Sequence, residues 1–175
     1  MCTMTDPERE LTSVSSRPLC LSYAVVIAAV TPVRLRDAGH SREHPLFWIF
    51  GWLTDGECEP LGACMGVQAL PQMLAGLKSR GLQRIWRIAA LDAERGEDAE
   101  RAKSAMAREF PRALASATSD LSPVALAVAA EVRETVIRAL RRHHQFEDEA
   151  QALDIVALAL QRAERRLDSE RRMAA

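Results

Sequence analysis

The run Tyr23-Ala-Val-Val-Ile-Ala-Ala-Val30, continued by Val33-Arg-Leu-Arg36, decides the fold class of this chain. Its first eight residues are apolar and rich in β-branched side chains, the pattern of a strand buried on both faces. The second piece alternates apolar and charged, as a strand with one wet face does. Pro32 between them has no amide to donate, so the run is expected as an edge strand, a bulged strand or two pieces. Asp37-Ala38-Gly39-His40-Ser41 then supplies a turn.

Working outward, Leu46-Phe47-Trp48-Ile49-Phe50-Gly51-Trp52-Leu53 is a second strand. Thr54-Asp55-Gly56-Glu57 closes a hairpin, because Asp-Gly favours positive φ. Pro60–Met65 returns as a third strand. Helical spacing then takes over: Leu70, Met73, Leu74 and Leu77 share one face between Ala69 and Arg80, and Gly81 suits the position after a helix. Arg84–Leu91 is a short buried strand ending at Asp92. A charged helix over 97–109 stops before Pro111. Residues 112–122 are rich in Ala, Ser and Thr and favour no element. Helices follow at 124–142 and 148–172; in the second, Leu153, Val156, Ala157, Leu160 and Ala163 form an apolar stripe, and Arg162–Arg172 is expected to fray.

Upstream, residues 1–18 are a polar lead-in, so the expected domains are a flexible stretch 1–18, a core over 19–111 and a helical region over 112–175. The order β-β-β-α-β-α, then further helices, defines an α/β (α+β) chain. Three antiparallel strands and a crossover helix to a fourth open a ribonuclease-H-like core, an order that other α/β folds share.

Composition sets limits on function. The chain has 175 residues, room for one domain with a helical tail. Lys+Arg is 23 against Asp+Glu 24, a net charge of −1, which excludes a protein whose main task is to coat nucleic acid. Hydrophobic residues at 48% argue against global disorder. No apolar run reaches the ~20 residues of a membrane-spanning helix, and acidic Asp6, Glu8 and Glu10 stand where a signal peptide is basic. A cytoplasmic location without membrane partners is therefore expected. Lys78 and Lys103 are the lone lysines among many arginines, a bias that a GC-rich genome also produces. Cys2, Cys20, Cys58 and Cys64 form no C-x-x-C pair or zinc spacing; Cys20 and Cys64, in apolar surroundings, are expected to be small core residues.

Several segments resemble the catalytic region of Mutator-type insertion-sequence transposases. Arg17-Pro-Leu-Cys-Leu-Ser-Tyr-Ala-Val-Val26 is similar to the family's first strand, and Val33-Arg-Leu-Arg-Asp-Ala-Gly-His40 to its V-K-V-R-D continuation. Leu53-Thr-Asp-Gly-Glu-Cys-Glu-Pro-Leu-Gly62 resembles its D-G hairpin and E-V-L-G third strand. Leu77-Lys-Ser-Arg-Gly81 resembles L-K-x-R-G, and Phe146-Glu-Asp-Glu-Ala-Gln-Ala-Leu153 with Leu158-Ala-Leu160 resembles F-P-x-D-E-A-A-L…L-A-L. The matches cover roughly residues 17–92 and 131–166.

The resemblance implies a ribonuclease-H-like, DDE-type DNA recombinase. Three carboxylates would hold two Mg²⁺ or Mn²⁺ ions for strand cleavage and transfer at the ends of an element. Hard cations need such oxygen ligands. The first position falls on Ala29, which cannot bind metal. The second falls on Asp92, with Ala93 where the family has glycine. The third falls beside Glu131, with Ala130 at the strict count; one position turns a helical side chain by ~100°. Arg138, Arg141 and Arg142 are candidates for DNA contact, since guanidinium groups suit phosphates.

Plainer readings stand beside these. Asp92 suits a turn or helix N-cap, and Glu131 and the arginines suit a solvated helix face. Asp37 and Asp55 suit turns, and His40, His44, His143 and His144 suit solvent. The family's preceding DNA-binding region, its long helical insertion and its C-x-x-H motif have no counterpart in this sequence. A shortened, catalytically inactive copy is thus expected. The alternatives are a non-catalytic protein that binds an intact transposase through Leu153–Ala163, as a homo- or hetero-oligomer, or a remnant without function.

Overall fold

The computed structural model describes residues 17–37, 39–91 and 96–174; among the candidates above, Asp92 and the lead-in through Ser16, with Cys2, lie outside them. The described residues form a mixed α/β fold with five strands and four α-helices. The strands are β1 (Ser22–Asp37), β2 (His40–Trp52), β3 (Cys58–Met65), β4 (Arg84–Ala90) and β5 (Leu114–Ala115). The helices are α1 (Leu70–Ser79), α2 (Glu97–Glu109), α3 (Pro123–Arg141) and α4 (Glu149–Ala174). The sheet order is β3-β2-β1-β4-β5. β1, β2 and β3 run antiparallel, while β4 is parallel to β1 and β5 parallel to β4.

β1 is one 16-residue strand rather than two pieces. Its first half, through Ala28, is flanked by β2 and β4; its second half has only β2 as a named-strand neighbour. Pro32 falls in that second half, opposite Pro45. Two residues without amides face each other at a pair that exchanges no hydrogen bonds, and the Pro45 carbonyl turns outward to accept from the Gly66 amide at 2.9 Å. β2 begins at His40, six residues earlier than its apolar run, because the polar residues His40–Pro45 pair with Pro32–Asp37.

The Asp55-Gly56 hairpin forms as expected. Gly56 has φ 88°, open to glycine without steric cost, and the Asp55 carboxylate accepts the Glu57 amide at 2.9 Å. α1 closes with the Leu82 amide on the Leu77 carbonyl at 3.1 Å. Ser122 caps α3, its hydroxyl accepting from the Ala125 amide at 3.2 Å. Asp148 does the same for α4, accepting from the Gln151 amide at 2.8 Å.

Each face of the sheet carries its own core. Val26, Ala28, Phe47 and Ile49 face α1 and α2, where Leu74, Leu77 and Met106 fill the layer. Ile27, Ala29, Trp48 and Phe50 belong to a second cluster with Val132 and Val136 of α3 and Val156 and Leu160 of α4. The alternation of residues along β1 is what assigns them to opposite faces.

Three expectations change. The segment 112–122 contains β5, a two-residue strand held by pairing with Arg87 and Ile88; a strand this short has no periodicity to read. Cys20 is exposed, while Cys58 and Cys64 are buried, because the chain reaches the sheet only after Cys20. α4 stays helical to Ala174, and Arg171 near its end donates to the Asp55 carbonyl at 3.0 Å.

Candidate functional site

The parallel pair β1–β4 creates the first candidate. β4 ends where Ala90 lies opposite Ala28, and the Leu91 amide donates to the Ala28 carbonyl at 2.9 Å. β1 continues for nine more residues with β2 as its only named-strand neighbour. The gap past the C-terminal end of β4 is a cleft of about 510 Å³. Val30 and Thr31 of β1, Leu91, and Arg133 and Ile137 of α3 line it. Its other titratable lining groups are Glu43, His44 and Asp98. Crevices past the carboxyl ends of strands are where open α/β sheets bind ligands.

Of the candidate site residues singled out in the sequence, only His44 lines this cleft among the described residues; the others lie as follows. Ala29 is 3% exposed and belongs to the apolar cluster under α3. Glu131 lies on α3 and forms an ion pair with Arg166 of α4, Nε to Oε1 2.9 Å, while Arg166 also holds Glu170 at 3.1 Å. The residues of α3 at the cleft are Arg133 and Ile137; Arg133 is about 200° around the helix from Glu131. Arg138 pairs with Glu134 at 3.4 Å and is exposed. Arg141 and Arg142 are exposed at the end of α3. Just beyond, Phe146 makes a parallel bridge with Leu35, its amide donating to the Arg34 carbonyl at 2.9 Å. His143 stacks on Phe146 with ring centroids 5.4 Å apart. His40 and His144 are exposed and His44 is half-buried.

Among the described residues no group of three or more His, Cys, Asp or Glu side chains is placed to share an ion. The cleft carries two carboxylates, Glu43 and Asp98, beside His44 and the Arg133 guanidinium, where a two-metal site needs several converging hard oxygen ligands.

A second constellation sits at the opposite end of β1, and nothing in the sequence pattern signalled it. Arg17 donates to Glu164 at 2.8 Å and also to Glu59. The buried Tyr23 hydroxyl donates to Glu59 and accepts from the Cys20 amide at 3.2 Å. Arg80 donates to the backbone carbonyls of Arg17 at 2.9 Å and Leu61 at 2.6 Å, and its Nη2 is buried without a partner. Burial and the bond to Glu59 push the Tyr23 hydroxyl well above the ordinary tyrosine range. Burial raises the Glu164 carboxyl, against the pull of Arg17. For Arg17 burial works downward, but the two carboxylates outweigh it and the guanidinium is held more firmly protonated. Burial lowers Arg80. Its members come from five separated sequence positions whose only common signal is charge or a lone tyrosine.

No protein-family model and no curated protein matches the sequence. One solved structure that it resembles is a simian T-cell lymphotropic virus intasome in complex with PP2A regulatory subunit B56 gamma. The TM-score is 0.39 at 10% identity, over 82% of this chain and 49% of that one. The chain thus spans about half the length of the structure it matches. Among the described residues no helix is long and apolar enough to cross a membrane.

Proposed function

We propose that this chain is a ribonuclease-H-like relative of Mutator-type transposases that binds duplex DNA and does not cut it. The observation that supports the reading is the position of Ala29. Three antiparallel strands lead through α1 to β4, parallel to β1 and ending beside Ala28. At the place on β1 where the resemblance implies the first metal ligand stands a buried methyl group. Glu131, the third expected ligand, is engaged by Arg166. Cleavage by two metals depends on their charge stabilisation, and the methyl group of Ala29 offers no oxygen to hold one. Arg138, Arg141 and Arg142 at the end of α3 are assigned to duplex phosphates.

The rival reading, a partner of an intact transposase through Leu153–Ala163, has less surface to rest on, since of that stripe only Leu153 and Ala157 are half-buried rather than buried. Val156, Leu160 and Ala163 are fully buried in the chain's own core.

The test is incubation with supercoiled plasmid in Mg²⁺ or Mn²⁺, with duplex binding followed by anisotropy. The expected result is no nicked product and binding that weakens with salt, the slope falling by about 0.9 for each arginine of the three replaced by alanine. Nicking, or no binding at 50 mM salt on the order of tens of micromolar protein, overturns the proposal.

A further inference from the structure

At the other end of β4 the molecule carries a surface that the reading above leaves unused. Trp86 is 56% exposed, and Leu21 and Leu114, on the segments flanking β4, are 62% and 59% exposed. Leu21 is joined to the start of β4 through its carbonyl, which accepts from Arg84 and Gln83 at 3.0 Å each. Leu114 pairs with Arg87, next to Trp86. These are three of five large hydrophobic side chains exposed among the described residues, one on β4 and the others on the segments that flank it. The guanidinium of Arg84, two residues away and on the same strand face, lies 5.5 Å from the Trp86 ring centroid.

Next to this edge opens a cleft of about 690 Å³ lined by Lys78, Arg84, Glu109, Phe110 and Arg112. Lys78 and Glu109 neutralise each other at 2.6 Å. Among the described residues no carboxylate pairs with Arg84 or Arg112. The net field of the cleft is therefore positive in a chain whose overall charge is −1.

We infer that this edge is a binding surface for single-stranded nucleic acid, with Trp86 as the stacking platform and Arg84 and Arg112 as phosphate contacts. A solvent-facing indole with the Arg84 guanidinium against it, next to a cleft that adds Arg112, suits an unstacked base next to its backbone. A duplex hides its base faces, so it gives Trp86 nothing to stack on. A second copy of the chain fits less well. A two-fold contact sets the same patch against itself, bringing Arg84 and Arg112 against their own like charges. The inference does not rest on the duplex-binding reading, which concerns the far end of the molecule.

The experiment is a titration of the full chain with a 20-nucleotide oligo-dT at 50 mM NaCl, read by tryptophan fluorescence and by anisotropy of labelled oligonucleotide. Trp86 is the most exposed of the three tryptophans, Trp48 being 1% exposed and Trp52 half-buried, and the quenching lost in Trp86→Ala is its share. Expected are quenching on binding, about fivefold or more weaker binding for Trp86→Ala, and partial rescue by Trp86→Phe. Arg84→Ala with Arg112→Ala is expected to reduce the salt slope by about 1.4. All three positions are surface ones, so unchanged circular dichroism and melting are expected and checked first. The inference is overturned by no anisotropy change up to 100 μM protein, by Trp86→Ala binding as tightly as the parent, by duplex competing better than oligo-dT, or by a Trp86-dependent dimer that excludes the oligonucleotide. Loss of duplex binding on replacing Arg141 and Arg142, with oligo-dT binding intact, separates this surface from that of the preceding proposal.

Discussion

The two ends of β1 deal with polar chemistry in opposite ways. At Tyr23 the charges are drawn together: Arg17 is shared by Glu59 and Glu164, and the Tyr23 hydroxyl completes Glu59. About 23 Å along the same strand, past Ala28 and Ala29, the side chains shrink to methyl groups and a cleft opens instead. A closed network ties β1, β3 and α4 together and serves the fold. An open cleft beside a strand end is the kind of place where a fold spares room for function. The candidate chemistry of this chain was expected at the second end, yet the first end holds the denser set of ionisable groups.

Substitutions at the closed end should cost the most. Tyr23 is fully buried, and its ring lies where a side chain on Gly51 would be: a Cβ there would sit 2.6 Å from Tyr23 Cδ1. Tyr23→Ala removes the ring and one of the two donors of Glu59, leaving only Arg17; the expected cost is about 3–5 kcal/mol by chemical denaturation. Gly51→Ala forces the ring to move and should cost about 1–3 kcal/mol. A loss below about 1 kcal/mol for Tyr23→Ala would show that the network contributes nothing to stability and is free for another purpose.

The open end gives the sharper contrast. Ala29→Asp restores the acidic side chain that the resemblance implies. If this end still keeps a carboxylate-shaped, wet position, the variant folds with a cost under about 1 kcal/mol. The packing argues otherwise, since Ala29 is 3% exposed in the apolar cluster that includes Ala129 and Val132. An unpaired buried carboxylate should cost about 2–4 kcal/mol, falling as acid protonates it. His44→Ala, at the half-buried rim of the same cleft, is expected to stay within about 1 kcal/mol. Both are measured by urea unfolding at two pH values.

Much of this architecture was legible in residues 23–109, and the reasons are physical. β1, β2 and β3 announce themselves by apolar runs closed with Gly39 and Gly56, both at positive φ, and the helix Glu97–Glu109 is bounded by glycine and proline. What escaped was set by neighbours rather than by local pattern. β5 is exposed and two residues long, a strand only because Arg87 and Ile88 offer it a partner. The polar half of β2 pairs because β1 already runs that far. Cys20 sits among apolar letters but before the sheet begins. The candidate site was legible in part. The sequence placed Ala29 on β1, but not the α3 rotation that turns Glu131 to Arg166 and Arg133 to the cleft. A helix face is chosen by what packs on it, here α4, and that partner lies thirty-five residues on. Trp86 and the Arg17 network were not singled out beforehand; each depends on contacts between distant segments.

The smallest effect tests whether the closed end is held by its ion pairs or only tolerates them. Burial raises the Glu164 carboxyl above its unfolded value because Arg17 is divided between two carboxylates and offsets only part of the lost hydration. A group raised on folding contributes stability that is fully present below its unfolded pKa, about 4.3 for Glu, and lost as pH rises through the folded value. Wild type should therefore gain stability relative to Glu164→Gln as pH falls from 7 toward 4; the other carboxylates largely cancel in the difference. An ion pair strong enough to dominate would depress the carboxyl instead, and wild type would lose ground to the variant over the same window. The sign of that slope, from paired urea titrations at pH 4, 5, 6 and 7, decides which force holds α4 against β3.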